Sequence, residues 1–262
     1  MTGAVCATHI SNWPIAWSEE SCLIGAEWQL ILSCEHASNK VPDRYGGLFE
    51  AVSDLLSSHR AFDIGAAELA RRWSNISEAP LVQGRVSRLL IDLNRSSHHP
   101  ALFSEFSRPL PKTERQKLLK TWHEPYRQQL CGIVQDHLAA GRRVLHLSLH
   151  SFAPVLNGVV RMADIGLLYD PRRSMERSFC LGWQRLLRDN GLRVRRNYPY
   201  RGVAIGMVTL LRRRFSPSDY IGIELEINQS FPEGKTSDWR KLQHQLIESF
   251  ERMQTGCGHG SR

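Results

Sequence analysis

The sequence predicts an α/β fold, a three-layer sandwich in which a central, largely parallel sheet is covered on both faces by helices. Short apolar runs of strand length alternate along the chain with stretches of helical spacing, which is the pattern of strand–helix–strand units. At 262 residues and 42% hydrophobic composition the chain is long enough to bury one large sheet. No internal repeat or low-complexity linker divides it, so a single domain over residues 1–262 is expected.

Residues 1–24 carry no clear periodicity and read as an arm over the domain. Trp28–Cys34 (WQLILSC) has the look of a buried strand, ending in the polar loop Glu35, His36, Ala37, Ser38 and Asn39. Residues 49–56 read as a short helix and 63–73 (DIGAAELARRW) as an amphipathic one. Strands are expected over 80–83 and 88–93, the second running into Asn94 and Arg95. A long helix spans 112–140, with Gly141 as its stop, and 144–149 returns to strand alternation before His150 and Ser151. Residues 165–169 form another strand, 173–190 a helix stopped by Gly191, and 192–196 a strand followed by a loop with Pro199 and Gly202. Residues 220–227 (YIGIELEI) are the last strand and 237–253 the last helix. Residues 254–262 read as a frayed tail.

Composition narrows the function classes. No apolar run approaches the length of a membrane span, and Asn12, Trp13, Ser18, Glu19 and Glu20 interrupt anything like a signal peptide. Six cysteines without CxxC spacing fit a reducing, cytoplasmic setting better than a disulfide scaffold. The net charge of +8 lies largely in arginine groups around positions 142, 172, 193 and 212. Without a recognition motif or interleaved aromatics, these read as solvated faces and steering charges for a small carboxylate-bearing substrate, not as a nucleic-acid surface.

Four strand-like runs end in chemistry-bearing side chains: Glu35–His36, Asp92–Asn94–Arg95, His150–Ser151 and Glu226–Asn228. In open α/β sheets the carboxyl ends of strands border the ligand crevice, so these clusters are expected to converge there. His36 and His150 suit one divalent cation such as zinc, with a carboxylate as third ligand and a position left for water. Asp63 is the first choice for that carboxylate and Glu35 the alternative, since neighbours on an extended segment point to opposite faces. The planar fork of Arg95 matches a substrate carboxylate, and an ion pair with Asp92 is an equal reading. Glu224 and Glu226 share a strand face, and one of them is expected to act as a general base.

Taken together, the segments CEHASN with Val41–Pro42, HRAFDIGA (59–66), DLNR (92–95), LHSF (149–152) and ELEINQ (224–229) resemble N-formylglutamate amidohydrolases, in the family's order and over most of the chain. The resemblance implies a fold and site similar to zinc carboxypeptidases and aspartoacylases, with a mixed sheet between helices. It further implies a bound divalent metal, zinc, and hydrolysis of an N-formyl amide to formate and an amino acid. On it, His36, Asp63 and His150 resemble the metal ligands, Asn94 and Arg95 the pair that holds the substrate carboxylate, and Glu226 the general base. Ser151 and Arg201 join them as candidate substrate contacts, and Arg95, Arg201 or Arg212 as the cation beside the developing oxyanion. Two positions depart from members associated with histidine degradation: Ser148 stands where an Asp is usual, and Ala37–Ser38 where Ser–Gly is usual. These departures suggest a divergent branch. The rival readings are a zinc carboxypeptidase-like peptidase, a serine hydrolase lacking its GxSxG elbow, and a basic nucleic-acid-binding protein.

Overall fold

The computed structural model describes residues 28–255, so the expected N-terminal arm lies outside the described residues. Its strands are β1 (Trp28–Cys34), β2 (Leu81–Gln83), β3 (Arg143–Phe152), a small hairpin of β4 (Val155–Leu156) and β5 (Val159–Val160), then β6 (Ile165–Leu168), β7 (Val194–Arg196) and β8 (Tyr220–Asn228). Six of them form one sheet in the order β2-β1-β3-β8-β6-β7. All neighbours run parallel except β6 against β8, which makes the sheet mixed.

Period-two alternation divides the sheet into two unlike faces. Leu30, Leu32, Leu145, Leu147, Leu149, Ile223, Leu225 and Ile227 point to one face. There they meet helices α1 (Ala66–Ser77), α4 (Ser174–Asp189) and α6 (Thr236–Thr255), around an edge-on aromatic cluster of Trp73, Phe179, Trp183 and Phe250. The alternate residues of the same strands are Ser33, His146, Ser148, His150, Glu224 and Glu226. On that second face the core is apolar only towards the strands' amino ends, where Ile31, Val144 and Tyr220 pack against α2 (Lys112–Leu118), α3 (Glu124–Ala139) and α5 (Met207–Arg214). The chemistry-bearing residues therefore emerge on one face at the carboxyl ends of β1, β3 and β8.

Several elements differ from the sequence expectation. Residues 88–93 are not a strand but a turn, with Leu90 N–H bonded to the Ser87 carbonyl and Asp92 N–H to that of Leu102. Leu89, Leu90, Ile91 and Leu93 are buried in the second-face cluster, so the apolar run reports burial and not extended backbone. The long helix over 112–140 is interrupted by a π turn, Leu119–His123, just ahead of Pro125, which has no N–H to continue the ladder. Residues 49–56 wind as a 3₁₀ helix, Glu50–Ser57. Helix α5, only eight residues long, and the β4–β5 hairpin were too short to show a period. Helix α6 runs on to Thr255, so residues 254 and 255 are helical, and the rest of the expected tail lies outside the described residues. No helix among the described residues is long and apolar enough to cross a membrane.

Candidate metal centre and active site

Most of the residues singled out from sequence line one cavity, with Asn228 and Arg212 outside it. His36 sits one residue past Glu35 in the turn after β1, and its carbonyl accepts the N–H of Asp63, 3.0 Å away. Gly65, at φ +80°, lets the chain reverse directly into α1 after Asp63. Any Cβ there would also strike Pro232 at 2.5 Å. His150 lies near the end of β3, and its register partner on β8 is Glu226.

The Nδ1 atoms of His36 and His150 lie 3.3 and 2.8 Å from the same Asp63 oxygen, Oδ2. One donor atom from each of the three residues falls within 4.8 Å of the others, and all three residues are buried. Two imidazoles and a carboxylate at that spacing fit zinc, which accepts N and O donors from three protein ligands and keeps a coordination position for a reactant. The far side of each ring supports this fit. His36 Nε2 is 2.7 Å from Asp92 Oδ1, and His150 Nε2 is 3.2 Å from Glu35 Oε2. Both are carboxylate acceptors, so the ring N–H belongs on Nε2 and the Nδ1 lone pair faces the centre.

Glu35 thus stands behind His150, outside the His36–Asp63–His150 group. It also accepts the hydroxyls of Ser148 (2.6 Å), Tyr126 (2.8 Å) and Ser33 (2.9 Å). Ser33 in turn accepts from His146 Nε2 at 2.8 Å, and Tyr220 donates to His146 Nδ1 at 2.7 Å. Burial lowers the His146 pKa to about 4, so this ring is neutral and the chain of donors ends on the carboxylate. A buried carboxylate with this many donors is satisfied as an anion.

Electrostatics at the centre follow from close packing. Burial pushes the Asp63 carboxyl up, but His36 and His150 together hold it well below the usual carboxylate range. Burial pushes the Asp92 carboxyl up as well, and His36 and Arg88 bring it below that range. Burial works against a charge on His150, yet the hydrogen bonds that its ring donates to Asp63 and Glu35 raise its pKa well above the ordinary value. For His36, burial and Arg88 pull down while Asp92 and Asp63 pull up, and the net shift is upward. Protons and a metal ion compete for these two nitrogens. Metal affinity is therefore expected to rise with pH through neutrality, with proton release on binding. Calorimetric titration with zinc in buffers of different ionisation enthalpy checks this, and a buffer-independent heat at neutral pH would refute it.

The centre opens into a cavity of about 650 Å³ lined by His36, Asp63, His150, Glu224, Glu226, Asn94, Arg95 and Arg201, among others. Ser151 also borders it, although its hydroxyl already donates to the Ile64 carbonyl and accepts from Gln229. Its backbone N–H faces Asp63 Oδ2 at 3.3 Å. Asn94 accepts the Met207 N–H through Oδ1 at 2.7 Å, which ties it to the start of α5. Arg95 places Nε 3.6 Å from Asp92 Oδ2, and its guanidinium makes no hydrogen bond to a described residue. Glu226 is buried and its Oε2 has no partner. Gly166 lies beside Glu226 on β6, and a Cβ there would strike the Tyr198 carbonyl at 1.9 Å, so its absence lets the 198–206 loop close over the site.

Two expectations change here. Arg212 is not available to a reaction, because it is buried against Glu176 at 3.0 Å and bonds the carbonyls of Gly202 and Gly222. Asn228, expected in the crevice, instead donates to the carbonyls of Arg161 and Ala163. Sequence reasoning missed Arg88, which bridges Asp63 Oδ1 and Asp92 Oδ2 at 3.3 Å each while facing the cavity. Its spacing of four from Asp92 is the one sequence signal that could have found it.

A sequence profile of the N-formylglutamate amidohydrolase family matches residues 28–231. Among solved structures, a gene product of Agrobacterium tumefaciens is 29% identical, with a TM-score of 0.76 over 87% of this chain and 90% of that one. An N-formylglutamate amidohydrolase from Ralstonia eutropha JMP134 shares 19% identity and a TM-score of 0.65, over 89% of this chain and 96% of its own, a likeness of fold. No curated protein matches the chain.

Proposed function

Because the chain belongs to the N-formylglutamate amidohydrolase family, we propose that it hydrolyses the N-acyl amide of an acidic amino acid, N-formylglutamate being the simplest such substrate. In this reading one divalent metal, zinc, is held by His36, Asp63 and His150, and Glu226 is the general base. The observation that carries it is a buried carboxylate with an unpartnered oxygen, Glu226, in the same cavity as a two-histidine, one-carboxylate donor set.

When bound, the metal supplies a Lewis acid that polarises the acyl carbonyl and makes water acidic near neutral pH. Glu226 takes a proton from the attacking water and returns it to the amine as the C–N bond breaks. Arg88, tethered to Asp63 and Asp92 with its side chain 27% exposed, is a fixed cation for the developing oxyanion. Asn94 and Arg95 orient the amino-acid carboxylate, so that the amide carbon is presented to water in one pose. Arg201 lies further out, exposed on the cavity wall, and adds to the field that draws an anion inward.

Metal analysis of the purified protein, with formate release from N-formylglutamate before and after chelation, tests the reading. Activity is expected to disappear with chelator and return with zinc. Full turnover by the metal-free protein would overturn it. The role of Arg95 is tested by Arg95→Lys, which keeps the charge but loses the fork. Binding of a carboxylate substrate should weaken by about 1–3 kcal/mol, seen in KM more than in kcat. An unchanged KM would assign Arg95 to its ion pair with Asp92 alone.

A further inference from the structure

A second cavity of about 350 Å³ adjoins the one that holds Glu226. Asp63, Arg88, Asp92, Arg95, Ser151 and Tyr200 line both, so the two chambers share a border beside the His36–Asp63–His150 group. The second chamber is strongly basic: Arg60, Arg108 and Arg161 join Arg88 and Arg95 in its wall. Its acids are already paired, Asp63 and Asp92 with Arg88 and the histidines, and Glu105 with Arg60. Among the described residues neither Arg108 nor Arg161 forms an ion pair, although Arg108 helps to lower the Glu105 pKa and donates to the Phe103 carbonyl at 3.5 Å. Arg161 is nonetheless held in place. Its guanidinium lies 5.9 Å from the Phe152 ring and 5.3 Å from the Tyr200 ring, and it donates to the Tyr200 hydroxyl at 3.3 Å. A cation fixed by two aromatic rings loses little conformational freedom when it binds an anion.

A formyl group is uncharged and one carbon long, so it offers the arginines of this chamber no anion to meet. We infer that the enzyme acts on acyl groups that are longer and carry their own carboxylate, received by Arg161 and Arg108. The substrate class is then a half-amide: a dicarboxylic acid joined through one carboxyl to an amino acid. Asn94 and Arg95 hold the amino-acid end, and the acyl chain crosses the shared border into the basic chamber. The inference rests on the amidohydrolase reading, and the chemistry is unchanged. Water oxygen bonds to the acyl carbon, the C–N bond breaks, the amine leaves with the proton carried by Glu226, and the second product is a dicarboxylate. No oxidation or reduction is involved.

The test compares N-formyl, N-butanoyl and N-succinyl derivatives of one amino acid on the zinc-loaded enzyme. Butanoyl and succinyl chains match in length and differ in the terminal charge. The succinyl compound is expected to exceed the butanoyl compound in kcat/KM by about tenfold or more, as for one charge-assisted contact. In an Arg108→Gln, Arg161→Gln double variant with wild-type Tm, that ratio should fall close to one. Calorimetric binding of succinate against butyrate gives a readout independent of turnover, and the preference for succinate should vanish in the same variant. A wild-type ratio near one, or a ratio that survives in the double variant, overturns the inference while hydrolysis of the formyl compound keeps the amidohydrolase reading intact. Failure of the loaded enzyme to cleave any of the three amides would instead overturn that reading, and this inference with it.

Discussion

Glu226→Gln is expected to fold, to retain its metal and to lose about 10²- to 10⁴-fold in kcat, the range for removal of a general base. The residue lies opposite His150 on the neighbouring strand, is buried, and leaves Oε2 unpartnered in the cavity. Burial raises its carboxyl to about 8; His150 opposes that shift, and the anions Asp63 and Glu224 add to it. A cation held by the neighbouring His36–Asp63–His150 group would lower the value, favouring the carboxylate form that accepts a proton. Glutamine keeps the shape and loses the acceptor. The wild-type rate should therefore fall on the acid side as Glu226 becomes protonated, and the variant's residual rate should lack that limb. Glu224 is the control: it also lines the cavity, but its register partner is Ser148, one alternation deeper. Glu224→Gln is expected to keep most of its kcat. If the two variants exchange behaviour, the base is the deeper residue.

Much of this arrangement was legible because alternation in a strand encodes two faces at once. In the runs LHLSLH and IGIELEI the leucines and isoleucines bury one face, so the histidines, serine and glutamates had to share the other. The convergence of strand ends then followed from the parallel order of β1, β3 and β8. What stayed hidden was pairing across elements. The period-two argument set Glu35 and His36 on opposite faces, yet His36 lies beyond the strand in a turn, where that rule no longer holds. Nothing local to position 35 announces Tyr126 from α3 or Ser148 from β3 as its partners. The place of Ser148 becomes intelligible only in three dimensions: its hydroxyl joins His150 Nε2, at 3.0 Å, to the carboxylate of Glu35 in the turn after β1. Likewise the arginine groups looked alike in sequence. Arg172 is 83% exposed, whereas Arg212 is consumed by Glu176, the Gly202 carbonyl of the loop over the site and the Gly222 carbonyl of β8.

Replacing His36, Asp63 or His150 by alanine is expected to abolish stoichiometric zinc binding and, with it, turnover. Asp63 is the most informative of the three. One of its oxygens faces both imidazole Nδ1 atoms and the Ser151 N–H, while the other meets Arg88, so it anchors both sides of the centre. Glu35→Gln should behave differently. Its partner is the far nitrogen of His150, and loss of such a supporting carboxylate costs about 10- to 100-fold in metal affinity without removing a ligand. Asp92→Asn, behind His36, should fall in the same range. Titration with zinc against a competing chelator therefore separates the two classes. The alanine variants should show no stoichiometric site at any accessible concentration, and the amide variants a weaker site of unchanged stoichiometry. The Tm measured alongside matters for Glu35→Gln, since the buried donors of Ser33, Ser148 and Tyr126 lose a charged acceptor. Tight zinc binding by Asp63→Ala, together with its loss in a folded Glu35→Gln protein, would make Glu35 the ligand and Asp63 its support. The geometry weighs against that outcome, because Glu35 faces Nε2 of His150 and forms no ion pair with His36, whereas Asp63 reaches both rings.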